Sequence, residues 1–280
     1  SSSTSHVNAS ILVANNYFYR CNGDVEIISN KSSGNTFRHN TFVECRGALS
    51  LRHGNNTLVE GNYFIGNHIP ETLGVRVINE DQTIINNYFE SLDSTDENAA
   101  VTLFSGILNT PPTGYHQVNN ALVAHNTFVH TSDGIRMSSL HGLVSTIDPD
   151  DSGPLLTQPY THTELPINTI VANNLFYANR GFIIAEVFPG INTISEGNLV
   201  FAHTPQLLPA QGFTVGNPDL ITKGYYMGID GSGSSAAVDS GATGSLSPPL
   251  QDFERQPRDA MPDVGSDEVS AIPETTTLRR

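Results

Sequence analysis

Asn15-Asn16-Tyr17-Phe18 returns as His39-Asn40-Thr41-Phe42, Gly61-Asn62-Tyr63-Phe64, Asn86-Asn87-Tyr88-Phe89, His125-Asn126-Thr127-Phe128, Asn173-Asn174-Leu175-Phe176 and Gly197-Asn198-Leu199-Val200. The second residues of these motifs are 24, 22, 25, 39, 48 and 24 positions apart. Four of the intervals read as one turn of a solenoid and two as a turn carrying an insertion. A period of this length suits either a leucine-rich repeat or a parallel β-helix, so the content of the units decides. A short β-rich run precedes each asparagine, as in Thr57-Leu58-Val59 and Thr83-Ile84-Ile85, and another follows, as in Leu49–Arg52 and Val75–Ile78. No unit holds an amphipathic helix of useful length, and the Leu-x-x-Leu-x-Leu pattern is missing. The chain therefore reads as all-β, a parallel β-helix with asparagine amides bonded along one turn column and phenylalanines stacked inside.

Working outward from the ladder, residues 1–201 form the coils, with loop insertions near 105–120 and 139–168 that are rich in Pro, Gly, Thr and Asp. Loops of that length commonly wall a functional groove. Residues 202–270 read as irregular final coils and a cap of the same domain, covering the open end a solenoid leaves, and 271–280 as a flexible tail. With 280 residues and 38% apolar content the chain can bury a full core. Thirteen basic residues against 28 acidic ones give a formal charge of -15, which excludes nucleic acid as a general partner. The acidity lies mainly beyond residue 80, so the first third is locally neutral and can still attract an anion. No run of eighteen apolar residues predicts a membrane span. The opening Ser-Ser-Ser-Thr-Ser-His has neither an initiator Met nor a signal peptide's apolar core and reads as a processed or truncated beginning. Cys21 and Cys45 lie five residues past Asn16 and Asn40 and should stack on adjacent coils. A disulfide is geometrically possible there, and a reduced stack is the preferred reading.

Strand alternation assigns the faces. With Val25, Ile27, Leu49, Leu51, Val75 and Val77 inward, Asp24, Glu26, Ser50, Arg52, Arg76 and Thr102 point outward. Glu26, Arg52 and Arg76 should then form one exposed polar patch, with Lys31 at its margin past the end of its strand. Two acids, a lysine and an Arg52-His53 pair on neighbouring turns suit proton abstraction beside a carboxylate. Removing the C5 proton of a uronate places a second charge next to an existing one, so cations must absorb it. The competing reading is that Asp24 and Glu26 only balance Arg52 and Arg76 as surface ion pairs, worth about 0–1 kcal/mol each.

Glu26-Ile27-Ile28-Ser29-Asn30-Lys31-Ser32, followed by Leu51-Arg52-His53-Gly54 and Gly61-Asn62-Tyr63-Phe64, resembles polysaccharide lyase family 6, the alginate lyases and chondroitinase B. That resemblance implies a right-handed parallel β-helix and β-elimination on a 4-linked uronate polysaccharide, with alginate the expected substrate and chondroitin or dermatan the alternative. It implies Lys31 as base and Arg52 as acid, His53 and Arg76 as substrate-binding residues, and Asp24 and Glu26 as ligands of a Ca²⁺ ion. Asp24 stands where the family usually has Glu, and the asparagine ligand would fall on a coil before Ser1. The resemblance thus implies missing N-terminal coils, or a homo-oligomer, and a secreted or periplasmic enzyme. Since a guanidinium hardly ever releases a proton, Arg52 is expected to orient or polarise the leaving oxygen, with water or His53 completing the transfer. Two other readings remain open: a non-catalytic β-helical carbohydrate-binding or structural protein, and a glycoside hydrolase. The latter needs paired acids across the scissile bond and leaves Lys31 without a role.

Overall fold

The computed structural model describes residues 6–95, 97–148, 157–186, 188–201, 211–231, 234–244 and 249–269. Within them the backbone winds into a right-handed parallel β-helix with no α-helix. Each of the first six coils supplies one strand to each of three parallel sheets, and the next adds to the first two. The first sheet runs from Leu12–Ala14 through Leu58–Glu60 to Ile194–Glu196, and the second from Tyr17–Tyr19 through Tyr63–Ile65 to Phe213–Val215. The third runs from Glu26–Lys31 through Gly47–His53, Thr72–Val77, Val101–Phe104 and Ile135–Ser139 to Ile184–Glu186.

The corners explain the repeated motif. The residue before each ladder asparagine has a left-handed backbone: Asn15, His39, Asn86, His125 and Asn173 with φ between 51° and 58°, and Gly61 and Gly197 with φ 62°. Asn, His and Gly tolerate this region where β-branched residues do not, which is why those three types occupy the column. The ladder asparagine then stitches the coils together. Asn62 Nδ2 donates to Asn87 Oδ1 at 3.0 Å and to Phe37 O at 2.9 Å, and Asn62 N–H donates to the same Asn87 Oδ1 at 3.0 Å. Equivalent bonds run from Asn16 to Asn198. Two residues on, Phe18, Phe42, Phe64, Phe89, Phe128 and Phe176 stack with centroids 4.6–4.9 Å apart, matching the inter-coil spacing. The column buries aromatic area at every coil and fixes the register of the second sheet. Cys21 and Cys45 stack as free thiols, the Cys21 N–H directed at Cys45 Sγ at 3.5 Å.

The two insertions are more ordered than the expected loops. Gly106–Ile107 pairs antiparallel with Gln158–Glu164, which pairs antiparallel with Val144–Ile147, so the insertions join in one small sheet beside the solenoid. Beyond Phe201, Phe213–Val215 adds a strand to the second sheet. The chain then turns back along the flank, where Tyr226 and Phe253 pack on Tyr63 and Tyr88, Arg258 reaches Asn86 and Gly265 N–H bonds Asn173 O. The described part of 202–270 is therefore largely a lateral clasp. Residues 202–210 and the 271–280 tail lie outside the described residues.

Candidate active site

Strict alternation fails at several register shifts on the third sheet, two of them in the pairing of Glu26–Lys31 with Gly47–His53, among the residues the sequence singles out. Glu26 opposes Ala48 while Ile28 opposes Leu49, so Val25 does not continue the inward line, whereas Ile27 and Ile28 both pack against the core. Val25 is 49% exposed, and Ile28 takes the place opposite Leu49. Further along, Ser29 opposes Ser50 while Lys31 opposes His53, one position beyond simple counting. Bulges re-aim side chains in this way. Lys31 is thus the last residue of its strand, exposed, on the rung next to the Arg52-His53 pair.

The polar patch is present but is not open as expected, because residues 105–120 fold over it. Arg52 Nη1 donates to Gly114 O and Nη2 to Thr113 O, both at 3.0 Å, and the guanidinium lies 4.2 Å from the centre of the Tyr115 ring. The His53 Nε2 contact with Thr113 O at 3.1 Å requires Nε2 to carry the proton, since a carbonyl only accepts. His53 Nδ1 is then a buried acceptor with no hydrogen-bond partner. Thr113 itself is pinned by its hydroxyl, which donates to Asp148 O at 2.8 Å beside the hairpin of the second insertion. Burial lowers the Arg52 pKa from its ordinary value, against the raising influence of Tyr115 and Glu26. Burial and then the Arg52 charge lower His53 to about 4, so its ring is neutral near pH 7.

Arg76 lies one coil further and faces Ser50 and Thr102. Its side chain is 9% exposed, with Nη1 donating to Glu26 Oε1 at 3.2 Å and the guanidinium 4.8 Å from the Phe104 ring centre. Glu26 therefore spans two coils to neutralise a buried arginine. Asp24 Oδ1 accepts the Val25 N–H at 2.6 Å. Asp24 borders a cleft of about 440 Å³ at the opposite end of these strands, lined also by Asn22, Arg46, Glu71, Leu73 and Asn98.

Calcium seeks six to eight oxygen ligands. The pair expected to hold it offers two carboxylates, each already engaged by protein, and among the described residues no group of three converging His, Cys, Asp or Glu side chains includes either. Among the described residues these two carboxylates alone do not complete such a set. The three acids that do converge are Asp252, Glu254 and Asp267, whose ligand oxygens lie within 4.8 Å of one another in the lateral clasp. Sequence reasoning missed this group, although the Asp252-Phe253-Glu254 alternation was a weak signal. It also missed Thr113, Tyr115 and Phe104, whose contacts with the arginines span tens of residues. Among the described residues no helix is long and apolar enough to cross a membrane.

Comparison with known proteins gives a consistent result. The sequence model of the chondroitinase B family matches residues 1–206. Among solved structures, the alginate lyase AlyGC of polysaccharide lyase family 6 superposes with a TM-score of 0.68 at 30% identity, over 99% of this chain and 34% of its own. A mannuronic acid specific family 6 lyase from human gut microbiota superposes with a TM-score of 0.61 at 28% identity, over 77% of this chain and 46% of its own. The complex of alginate lyase AlyF-OU02 with G6 shares the fold with a TM-score of 0.66 at 19% identity, over 82% of this chain and 50% of its own. No curated protein matches the chain. The chain thus spans about a third of the length of AlyGC.

Proposed function

Because the chain belongs to the chondroitinase B family, within the polysaccharide lyase family 6 fold, we propose that it is a polysaccharide lyase cleaving a 4-linked uronate polymer, alginate first, by β-elimination. The observation that carries this reading is the placement of exposed Lys31 on the rung beside Arg52 and His53, at the rim of a strap that buries the arginine. Lys31, in its neutral form, takes the C5 proton; the C5 electron pair forms the C4–C5 double bond as the C4–O bond breaks. Arg52 and Arg76 stabilise the charge that builds on the carboxylate, in surroundings of low polarity where such stabilisation is strong. Neutral His53 holds the strap through Nε2, which donates to Thr113 O. Arg52 polarises the leaving oxygen, which takes its proton from water. No step is routed through a metal at Asp24 and Glu26. A polymeric uronate substrate fits a secreted or periplasmic location.

The test is incubation with alginate and with dermatan sulfate, with and without EDTA, following the ultraviolet absorbance of the unsaturated product. Wild type should act on alginate, and Lys31→Ala should lose about 10²–10⁴-fold in rate with an unchanged melting temperature. Product from dermatan sulfate alone would move the substrate to the chondroitin class. Absence of product from both polymers would leave a carbohydrate-binding or structural protein.

A further inference from the structure

The two insertions meet over Arg52, and both enter into how that side chain is held. Between Ile107 and Tyr115 the strap supports itself. Ile107 N–H donates to Tyr115 O at 2.9 Å, Thr110 N–H to Ile107 O at 3.2 Å and Gly114 N–H to Pro111 O at 2.8 Å. Pro111 and Pro112 fix two further backbone angles within it. A turn closed in this way moves as a unit, so its position over the third sheet is set by what it rests on.

It rests on the second insertion at its base and at its tip. At the base, Gly106–Ile107 pairs antiparallel with His162 and Glu164. At the tip, the Thr113 hydroxyl donates to Asp148 O at 2.8 Å. Buried Ile147 closes on Gly114, where an added Cβ would lie 3.2 Å from Ile147 Cδ1 and would collide with Thr110 Oγ1. Thr113 and Gly114 are the two residues whose carbonyls accept from Arg52 Nη2 and Nη1, each at 3.0 Å. Thr113 O also accepts the His53 Nε2 proton at 3.1 Å. The contacts thus run from hairpin to hydroxyl, from the same residue's carbonyl to the guanidinium, and on to the imidazole.

We propose that Thr113 is a positioning residue: its hydroxyl, fastened to the hairpin of the second insertion, sets the orientation of Arg52. This rests on the lyase reading of the Arg52 site and adds to it a residue that acts through Arg52 rather than on the substrate. A guanidinium carries five N–H donors in one rigid plane. Two of them go to the strap carbonyls, and the Tyr115 ring centre 4.2 Å away fixes the plane, so the strap dictates where the remaining donors point. Stabilising a developing charge depends on directions set in advance, and a misplacement of about 1 Å costs up to about a hundredfold in rate. No substitution at 113 or 114 removes a backbone carbonyl. What a substitution can remove is the hydroxyl that keeps the carbonyls in place.

The test uses the full chain with isotope-labelled arginine and compares Thr113→Val, which keeps the shape and removes the donor, with Thr113→Ser, which keeps the donor. On the polymer that wild type cleaves, Thr113→Val should lower kcat and kcat/KM together by about tenfold, with KM and melting temperature little changed. Thr113→Ser should restore most of the rate. By NMR, the Arg52 Nε–H signal, assigned by its loss in Arg52→Lys, should shift or broaden in Thr113→Val and stay in place in Thr113→Ser. Wild-type kcat in Thr113→Val overturns the proposal. So does a Thr113→Ser variant as slow as the valine one, which would assign the effect to shape. Wild type without product sinks the lyase reading alone; the Arg52 signal then decides, and one unmoved in Thr113→Val overturns the proposal there too. Should Thr113→Val fail to fold, Thr113→Ala is read in the same way.

Discussion

A single ladder asparagine shows how much one side chain carries in this fold. Asn87 Oδ1 accepts from Asn62 N–H and Nδ2, while its own Nδ2 donates to Val59 O, Ile85 O and Asn126 Oδ1. Asn87→Ala leaves several buried groups unpaired at once and should cost about 3 kcal/mol, read as a lower midpoint in urea with little change in slope. An unchanged midpoint would mean that the column is only decorative. At this scale the sequence was highly legible, because an amide bonded to its own copy one coil away must recur at the coil period. Lys31, Arg52, His53 and Arg76 could likewise be picked out by type and spacing. Their surroundings could not: Thr113 and Gly114 sit about sixty residues from Arg52, and no local pattern announces that two loop carbonyls will bind a guanidinium. The half-turn of face at Lys31 was equally hidden, since a bulge is a property of two paired strands rather than of either one.

Among the elements, the strap formed by residues 105–120 sets the environment of the proposed site. Tyr115 is its keystone, lying over Arg52 and edge-on to His162 at 4.8 Å, while His162 donates through Nδ1 to Ser105 O and accepts through Nε2 from the Ser145 hydroxyl. Tyr115→Leu keeps bulk but removes the ring face, worth about 0.5–2 kcal/mol to a cation. If Arg52 acts in the reaction, this variant should lower kcat by about tenfold with little change in melting temperature; equal loss of both would assign Tyr115 a purely structural part. The hairpin that backs the strap escaped sequence reading for a plain reason. Gln158-Pro159-Tyr160-Thr161-His162 carries a proline and mostly polar side chains, features that argue against a strand; Pro159 is tolerated because its stretch pairs only with Val144–Ile147, while Gly106–Ile107 pairs further along at His162 and Glu164. The first and second sheets were legible because they are buried on one face in every coil.

Across the whole molecule, partly buried histidines tie stability to pH. His39 is lowered to about 4, mainly by burial and then by the Arg255 charge, against an ordinary value of 6.5. The unfolded chain binds that proton first, so the contribution is complete above 6.5 and is lost as pH falls toward 4. His39→Asn keeps a residue type that Asn15, Asn86 and Asn173 show to be accepted at the same left-handed corner. The variant should therefore lose less melting temperature than wild type over that pH interval; parallel curves would remove His39 as a contributor. The expected end cover was the least legible feature at this scale, because a clasp held by Arg258, Ser266 and Gly265 has no period to betray it. One feature of the coils reaches further. Both long insertions, 105–121 and 140–169, leave the solenoid where a third-sheet strand hands over to the first sheet, while the neighbouring corners keep their short connections. Length varies most at that seam and least at the asparagine corner between the first and second sheets, where one or two residues always connect the strands. Lineages built on this scaffold can therefore exchange what overhangs the groove without re-evolving the frame, and a designer can graft there for the same reason.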